Sequence, residues 1–180
     1  MVLAIKGYEN STIADISKAA NVSRGILHYY FTDKEDLVNK VLANASNKLM
    51  QSTLTGIKGK SQEEIIDNVL STYIKNLEGN PDFYAFLFEM WCASRRSEKI
   101  RNELQNCILK VVATIGKMLE DAWKNSTIKF DAQKSDEMAK SLLALSDGIA
   151  FHVLINPSEN LKDKKFWLVI RNMMLSVLKR

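Results

Sequence analysis

"NVSRGILHYYF" (residues 21–31) is long enough for two helical turns, yet it lacks a continuous apolar face. At ~100° per residue, Leu27, Ile26 and Tyr30 fall on one side of a helix, and Arg24, Gly25, His28 and Tyr29 on the other. One side can join a core. The other gathers a cation, a glycine, an imidazole and a phenol on a surface facing solvent. Upstream, Thr12 precedes "IADISKAA", whose Ile13, Ile16 and Ala20 make one apolar face, with Ser17 small where a second helix must cross. Asn21 stands between the two, and asparagine is the non-glycine residue that most readily takes the left-handed conformation ending a helix. The spacing predicts helices over 12–20 and 23–30, joined by a sharp helix-turn-helix corner.

A helix of about 10 Å matches a DNA major groove about 12 Å wide. Gly25 would let backbone approach a duplex closely. Arg24 can fork onto guanine, and the tyrosine rings can pack on thymine methyls or donate to phosphates. Lys34, with the free N–H groups of a helix beginning near Asp33, forms a second phosphate anchor. Helix-turn-helix geometry alone also occurs in proteins that never touch DNA; the aromatic-ended second helix and Lys34 tip the reading to a DNA-reading surface.

Beyond this corner the chain reads as all helix. Glycine (7) and proline (2) are scarce, and no window alternates apolar and polar residues as a half-buried strand would. "TDKE" (32–35) and "SQEE" (61–64) read as capping boxes. Asn80 followed by Pro81 opens a helix to about Ser94. Longer helices are expected over about 97–124, 132–155 and 161–178, the last two separated by "NPSEN". Composition shifts most at "STLTGIKGKS" (52–61), which places a boundary between a three-helix domain, 1–50, and a larger helical domain, 51–180.

Charge and composition narrow the function. A net charge of +4 permits an anionic partner without requiring one. Cys92 and Cys107 sit in apolar helical patterns and read as two reduced, partly buried thiols. No run approaches 18 uninterrupted apolar residues and there is no signal segment, so a cytoplasmic protein with no membrane partner is expected. His28 and His152 lie far apart, and neither Cys–His pairing nor a Gly-rich phosphate loop is present. No enzyme site, no metal site and no cofactor is therefore expected. His152, beside Phe151 in an apolar run, reads as a hydrogen-bonded core residue, and the acids at 63, 64 and 67 as a solvated face.

"FYAFLFEMW" (83–91) carries two apolar stripes, Phe83, Phe86/Leu87, Met90 and, beside them, Tyr84, Phe88, Trp91. One stripe suffices for a core; the second is either a central helix's other face or the wall of an aromatic cavity. In the cavity reading, Tyr84, Phe88 and Trp91 share with Met118, Trp123 and Phe151 a pocket for a hydrophobic small molecule, with Asp147 or Glu89 supplying polarity. The last helix holds more apolar residues than one buried face needs. The preceding helix intersperses Ala139, Ser141, Ala144, Ser146, Gly148 and Ala150. A homodimer through 132–155 and 161–178 follows.

"GYENSTIADISKAANVSRGILHYYFTDKEDL" (7–37) resembles the DNA-binding domain of the tetracycline-repressor (TetR) family, over about residues 2 to 42. "LLALSDGIAFHVLINP" (142–157) looks like that family's penultimate helix. The resemblance implies an all-α homodimer that binds a palindromic double-stranded operator and leaves it when a small-molecule effector occupies the larger lobe. It implies Thr12 and Lys34 as phosphate contacts, and Ser23, Arg24, Gly25, Tyr29 and Tyr30 along the recognition helix. His28 stands where the family usually has tyrosine, and Asn21 where it usually has glycine. "MVLAIKGY" looks like the last two turns of a first helix that starts earlier in the family, so that helix is expected to be truncated here. The leading reading is a ligand-responsive repressor; the alternative is a helical small-molecule-binding protein without regulatory DNA binding.

Overall fold

The computed structural model describes residues 2–56, 59, 61–123, 132–156 and 164–178. Among these every regular element is an α-helix: α1 (Val2–Lys6), α2 (Ile13–Ala19), α3 (Arg24–Tyr30), α4 (Lys34–Gly56), α5 (Gln62–Gly79), α6 (Pro81–Ser94), α7 (Glu98–Trp123), α8 (Ala132–Ile155) and α9 (Lys164–Leu178). The "NPSEN" break, apart from Asn156, and residues 161–163 lie outside the described residues.

Local chemistry fixes the helix ends. Thr12 closes a capping box with Asp15: its Oγ1 accepts from the Asp15 N–H (3.1 Å), and the Asp15 carboxylate accepts from the Thr12 N–H (3.0 Å). Ser23 caps α3 by accepting from the Ile26 N–H, and Ser61 caps α5 by accepting from that of Glu64. Asn21 takes φ +54°, the left-handed turn expected of it, and Gly7 takes φ +75° after α1. The α4 start departs from the "TDKE" box by one residue. Asp33, not Thr32, caps the helix, accepting from the Asp36 N–H at 2.7 Å, and Asp36 accepts from the Thr32 N–H at 3.0 Å. Glu35 is drawn elsewhere, accepting from the Ser97 hydroxyl at 2.6 Å.

The chain divides into two compact units, and the division differs from a boundary near residue 50. Unit one joins Met1–Lys48 with Asn80–Cys107; unit two joins Leu49–Gly79 with Ile108–Arg180. The core of unit one explains the inclusion of α6 and the start of α7. Leu3, Tyr8, Leu27, Leu37, Val38 and Leu42 pack with Phe86, Met90, Ala93, Ile100 and Leu104. Three helices as short as α1–α3 cannot bury enough apolar surface alone, and α6 supplies the missing wall. Polar bonds reinforce it: Arg96 Nε donates to Glu9 (3.1 Å), and Lys99 Nζ to Asp33 (3.3 Å).

Unit two buries Ile66, Leu70 and Leu77 of α5, Val112 and Leu119 of α7, Ala139, Ile149 and Val153 of α8, and Ile170 and Leu175 of α9. Arg171 of α9 forks onto Asp67 of α5 through two nitrogens, and the Tyr73 hydroxyl donates to the Ser146 carbonyl of α8. Gly116 of α7 lies close to α8, where an added Cβ would stand 3.7 Å from the Ser135 carbonyl oxygen.

Several expectations are corrected. Cys107 is buried but Cys92 is exposed. His152 is exposed, its ring edge-on to Phe151, because Ile149, Ala150 and Val153 are the residues of that turn which face the core. Asp67 is an ion-pair partner rather than part of a purely solvated face. The expectation of no uninterrupted apolar run is not among these corrections: Ser135–Ile155 of α8 has the length and mean hydropathy, 1.4, of a membrane-crossing helix, but Asp136, Glu137, Lys140 and Asp147 interrupt it.

Candidate nucleic-acid interface

Of the seven residues of α3, six are exposed: Arg24, Gly25, Ile26, His28, Tyr29 and Tyr30. Leu27 alone is buried, and it anchors the helix in the unit-one core. The wheel is thereby corrected at two positions. Ile26 is 48% exposed and Tyr30 64%, so the surface wraps most of the way round rather than covering half. Tyr29, 82% exposed, stands edge-on to Tyr30 with centroids 5.0 Å apart. Lys40 Nζ donates to the Tyr30 carbonyl (3.3 Å), tying down the C-terminal end of α3. At Gly25 an added Cβ would meet only the Ser23 Oγ, at 3.8 Å, so the space above this backbone is open. Arg24 carries one charge at the helix start.

Thr12 and Lys34 are engaged within the chain. The Thr12 hydroxyl donates to Asp15 (2.8 Å) while accepting from its N–H. A hydrogen bond from Lys6 (2.7 Å), then that from the Thr12 hydroxyl, holds the Asp15 carboxyl well below the usual range. Lys34 Nζ donates to the carbonyls of Tyr8 (2.8 Å) and Ser11 (3.0 Å) and lies 4.2 Å above the centre of the Tyr8 ring. An ammonium has three donors, so one N–H remains for a further acceptor. Burial, aided by Glu35, Glu9 and Asp33, pushes the Tyr8 phenol up to about 12.

Glu89 has a structural task that its sequence position does not announce. Its carboxylate accepts from the Tyr8 N–H (3.0 Å), and a Cβ at Gly7 would stand 3.1 Å from its Oε2. It therefore caps the α1–α2 corner instead of lending polarity to a pocket. Backbone hydrogen bonds to the carboxylates hold Asp33 and Asp36 below their ordinary range, with Lys99 and Lys40 adding to the effect.

The residues expected to share an aromatic cavity fall in both units. In unit one Tyr84 is buried, Phe88 is half-buried and packs edge-on to Trp91 (5.2 Å), and Trp91 lies at the surface. In unit two Met118 is half-buried and Phe151 exposed; the Trp123 side chain lies outside the described residues. Asp147 is half-buried, and desolvation pushes its carboxyl up to about 6. A polar surface cavity of about 350 Å³ in unit two is lined instead by Val112, Ala113, Gly116, Lys117, Glu120, Ser135 and Asp136, none of them in the expected set. Among the described residues no group of three or more His, Cys, Asp or Glu side chains could hold a metal ion.

Residues 1–41 match the family model described as bacterial regulatory proteins, tetR family. The HTH-type transcriptional regulator PksA of Bacillus subtilis (strain 168) is 24% identical over 169 residues, covering 91% of this chain and 78% of PksA. The IcaR protein of Staphylococcus epidermidis, the HTH-type negative transcriptional regulator of the biofilm operon icaADBC, is 24% identical over 110 residues, covering 61% of this chain and 57% of IcaR. The solved structure of Salmonella enterica GusR shares the fold, with a TM-score of 0.81 at 22% identity, covering 99% of this chain and 90% of that one. The helix-turn-helix thus lies inside the segment that matches the tetR family model, and the all-α fold is the one shared with the solved structure.

Proposed function

We propose that this chain is a repressor that reads a palindromic duplex operator as a homodimer and is released by a small hydrophobic effector. The observation that carries the DNA-reading part is α3, a capped helix that buries Leu27 alone and exposes everything else. So short a helix gains little stability from its own packing, and a six-residue exposed surface of Arg, Gly, Ile, His and two Tyr suits a groove. Arg24, Gly25, His28 and Tyr29 are assigned to base edges and methyls. Ser23, Thr12, Tyr30 and the remaining N–H of Lys34 are assigned to phosphates. Residues 1–50 carry the reading surface, and 51–180 effector binding and dimerisation. The repressing sign draws support from IcaR, described as a negative regulator.

Dimerisation through α8 and α9 is supported by their uncovered sides. On α8, Ser141, Ala144, Gly148, Phe151 and Ile155 are exposed at helical spacing; on α9, Leu168, Val169 and Met173 are. The effector is assigned to unit two, with Met118, Asp147 and Phe151 of the expected set, and the desolvated Asp147 supports a partner that bears a donor or a positive charge.

The experiment is a titration of duplex DNA from upstream of the chain's own gene with purified protein, followed by fluorescence anisotropy. Saturable binding that a random duplex competes poorly is expected. Equal affinity for both duplexes, or none for either, would favour the helical small-molecule binder without regulatory DNA binding.

A further inference from the structure

We propose that Ile26 is a specificity-determining residue that reads a pyrimidine 5-methyl group, in unmodified DNA the methyl of a thymine, in each half-site. The inference rests on the DNA-reading proposal above and adds to it a residue and a chemical group. Ile26 is 48% exposed on a seven-residue helix whose one buried side chain is its neighbour Leu27. A single surface isoleucine needs no explanation by itself. This one is set among hydrogen-bonding groups on a surface otherwise suited to base edges, and it is held there. The Ser23 Oγ accepts the Ile26 N–H at 3.3 Å, and Lys40 fastens the far end of the helix at the Tyr30 carbonyl.

The side chain is stiff as well. A β-branched residue in a helix keeps one strongly preferred χ1 rotamer, so its methyl groups meet a groove with little entropy left to lose. At ~100° per residue, Ile26 lies about 160° round the helix from Arg24 and about 60° from Tyr29. Arg24 and Ile26 therefore occupy opposite flanks of α3, with Gly25 and Tyr29 between them. In a major groove the donor flank addresses acceptor edges. The apolar flank fits the one apolar feature that unmodified base pairs present there, the thymine C5 methyl. Covering Ile26 with that methyl removes apolar surface from water on both partners. No polar atom of the base is left unpaired by doing so.

The test uses the full-length chain and starts from random DNA, so the operator sequence need not be known. Duplexes retained by the wild type from a randomised library are sequenced. The best one is then resynthesised with deoxyuridine replacing each thymine in turn, at symmetric positions in both half-sites. Deoxyuridine lacks only the methyl group. At one position per half-site the wild type should lose about fourfold in affinity for each of the two methyls removed, about fifteenfold for the doubly substituted duplex. Ile26→Val should keep most of that loss, and Ile26→Ser should bind both duplexes alike. Thermal unfolding of Ile26→Ser should match the wild type, and failure of that variant to fold would place Ile26 in the core and overturn the proposal. It is equally overturned if the wild type tolerates deoxyuridine everywhere, or if the loss persists undiminished in Ile26→Ser, since another group then holds the methyl. No enrichment of any duplex by the wild type is a different result, because it removes the DNA-reading proposal on which this one stands.

Discussion

Arg24 and Lys34 are both cations of the helix-turn-helix segment, but the structure gives them different surroundings. Arg24 is exposed at the start of α3, whereas Lys34 clamps the carbonyls of Tyr8 and Ser11. Arg24→Ala should leave stability unchanged while costing about 1–3 kcal/mol on a selected operator and less on random duplex. Lys34→Ala should weaken both duplexes about equally, flatten the salt dependence by about one, and also lower stability by about 1–3 kcal/mol through two lost charge-assisted bonds. Affinity titrations at several salt concentrations, with thermal melts alongside, separate the two patterns. A Lys34→Ala variant melting like the wild type would contradict the clamp. The exposure of Arg24 is legible from spacing; the clamp is not, since its carbonyls lie 26 and 23 positions away. Asp147 gives a second prediction. Its folded-state pKa of about 6 lies above the ordinary aspartate value of 3.8, so the folded state holds that proton more tightly than the unfolded chain. This contribution is fully present below about pH 4 and is lost as pH rises to about 6, at a cost of up to about 3 kcal/mol. Asp147→Asn should therefore raise stability at pH 7 and not at pH 4 in urea denaturation. An equal effect at both pH values would refute the desolvation assignment.

Helix existence was legible throughout because most caps are local: Thr12, Ser23, Asn21 and Ser61 each act within a few residues. The start of α4 shows where such legibility ends. Thr32 and Glu35 repeat the spacing of Asp33 and Asp36 one residue earlier, so the capping pattern fits two registers. The choice falls to partners distant in sequence: Ser97 takes Glu35, and Lys99 takes Asp33. The observed register predicts that Asp33→Ala lowers stability by about 1 kcal/mol, Asp33→Asn by much less, and Thr32→Ala hardly at all. Denaturant midpoints decide it, and a larger loss for Thr32→Ala would restore the "TDKE" box. The aromatic stripes of α6 met the same limit. Periodicity marks Phe86 and Met90 as buried, but it does not say that α6 completes the core under α3 and α4. That is set by partners distant in sequence: Leu27, Leu37 and Val38 around Phe86 and Met90, with Glu89 holding the Tyr8 N–H and Arg96 holding Glu9.

On the scale of the whole molecule, the apolar surplus of the last two helices has an observable counterpart. Unit two needs Ile149, Val153, Ile170 and Leu175 for its interior, and leaves Val169 57% and Met173 49% exposed on one side of α9. On α8, an added Cβ at Gly148 would meet nothing within 4 Å, leaving room for close approach of another helix. Of the small residues that suggested close packing, Ala139 and Ala150 are used inside the unit, and Ser141, Ala144 and Gly148 remain outside. Two copies related by a twofold axis would cover both stripes at once, because an isologous interface sets each patch against itself. An interface of this kind should exceed the ~1,200 Å² floor of specific association. The same symmetry would present two α3 helices to the half-sites of a palindrome, which one seven-residue helix cannot read selectively. Val169→Glu with Met173→Glu places two charges per copy on the apolar stripe, and burying them unpaired costs several kcal/mol. Because both side chains are half-exposed, the isolated fold should survive. Sedimentation velocity should then show monomers with unchanged helical content by circular dichroism. Operator affinity should fall towards that for random duplex, although Arg24, Gly25 and Tyr29 are untouched. A dimer that persists in this variant, or an unmodified chain that sediments as a monomer at micromolar concentration, would move the interface off α8 and α9.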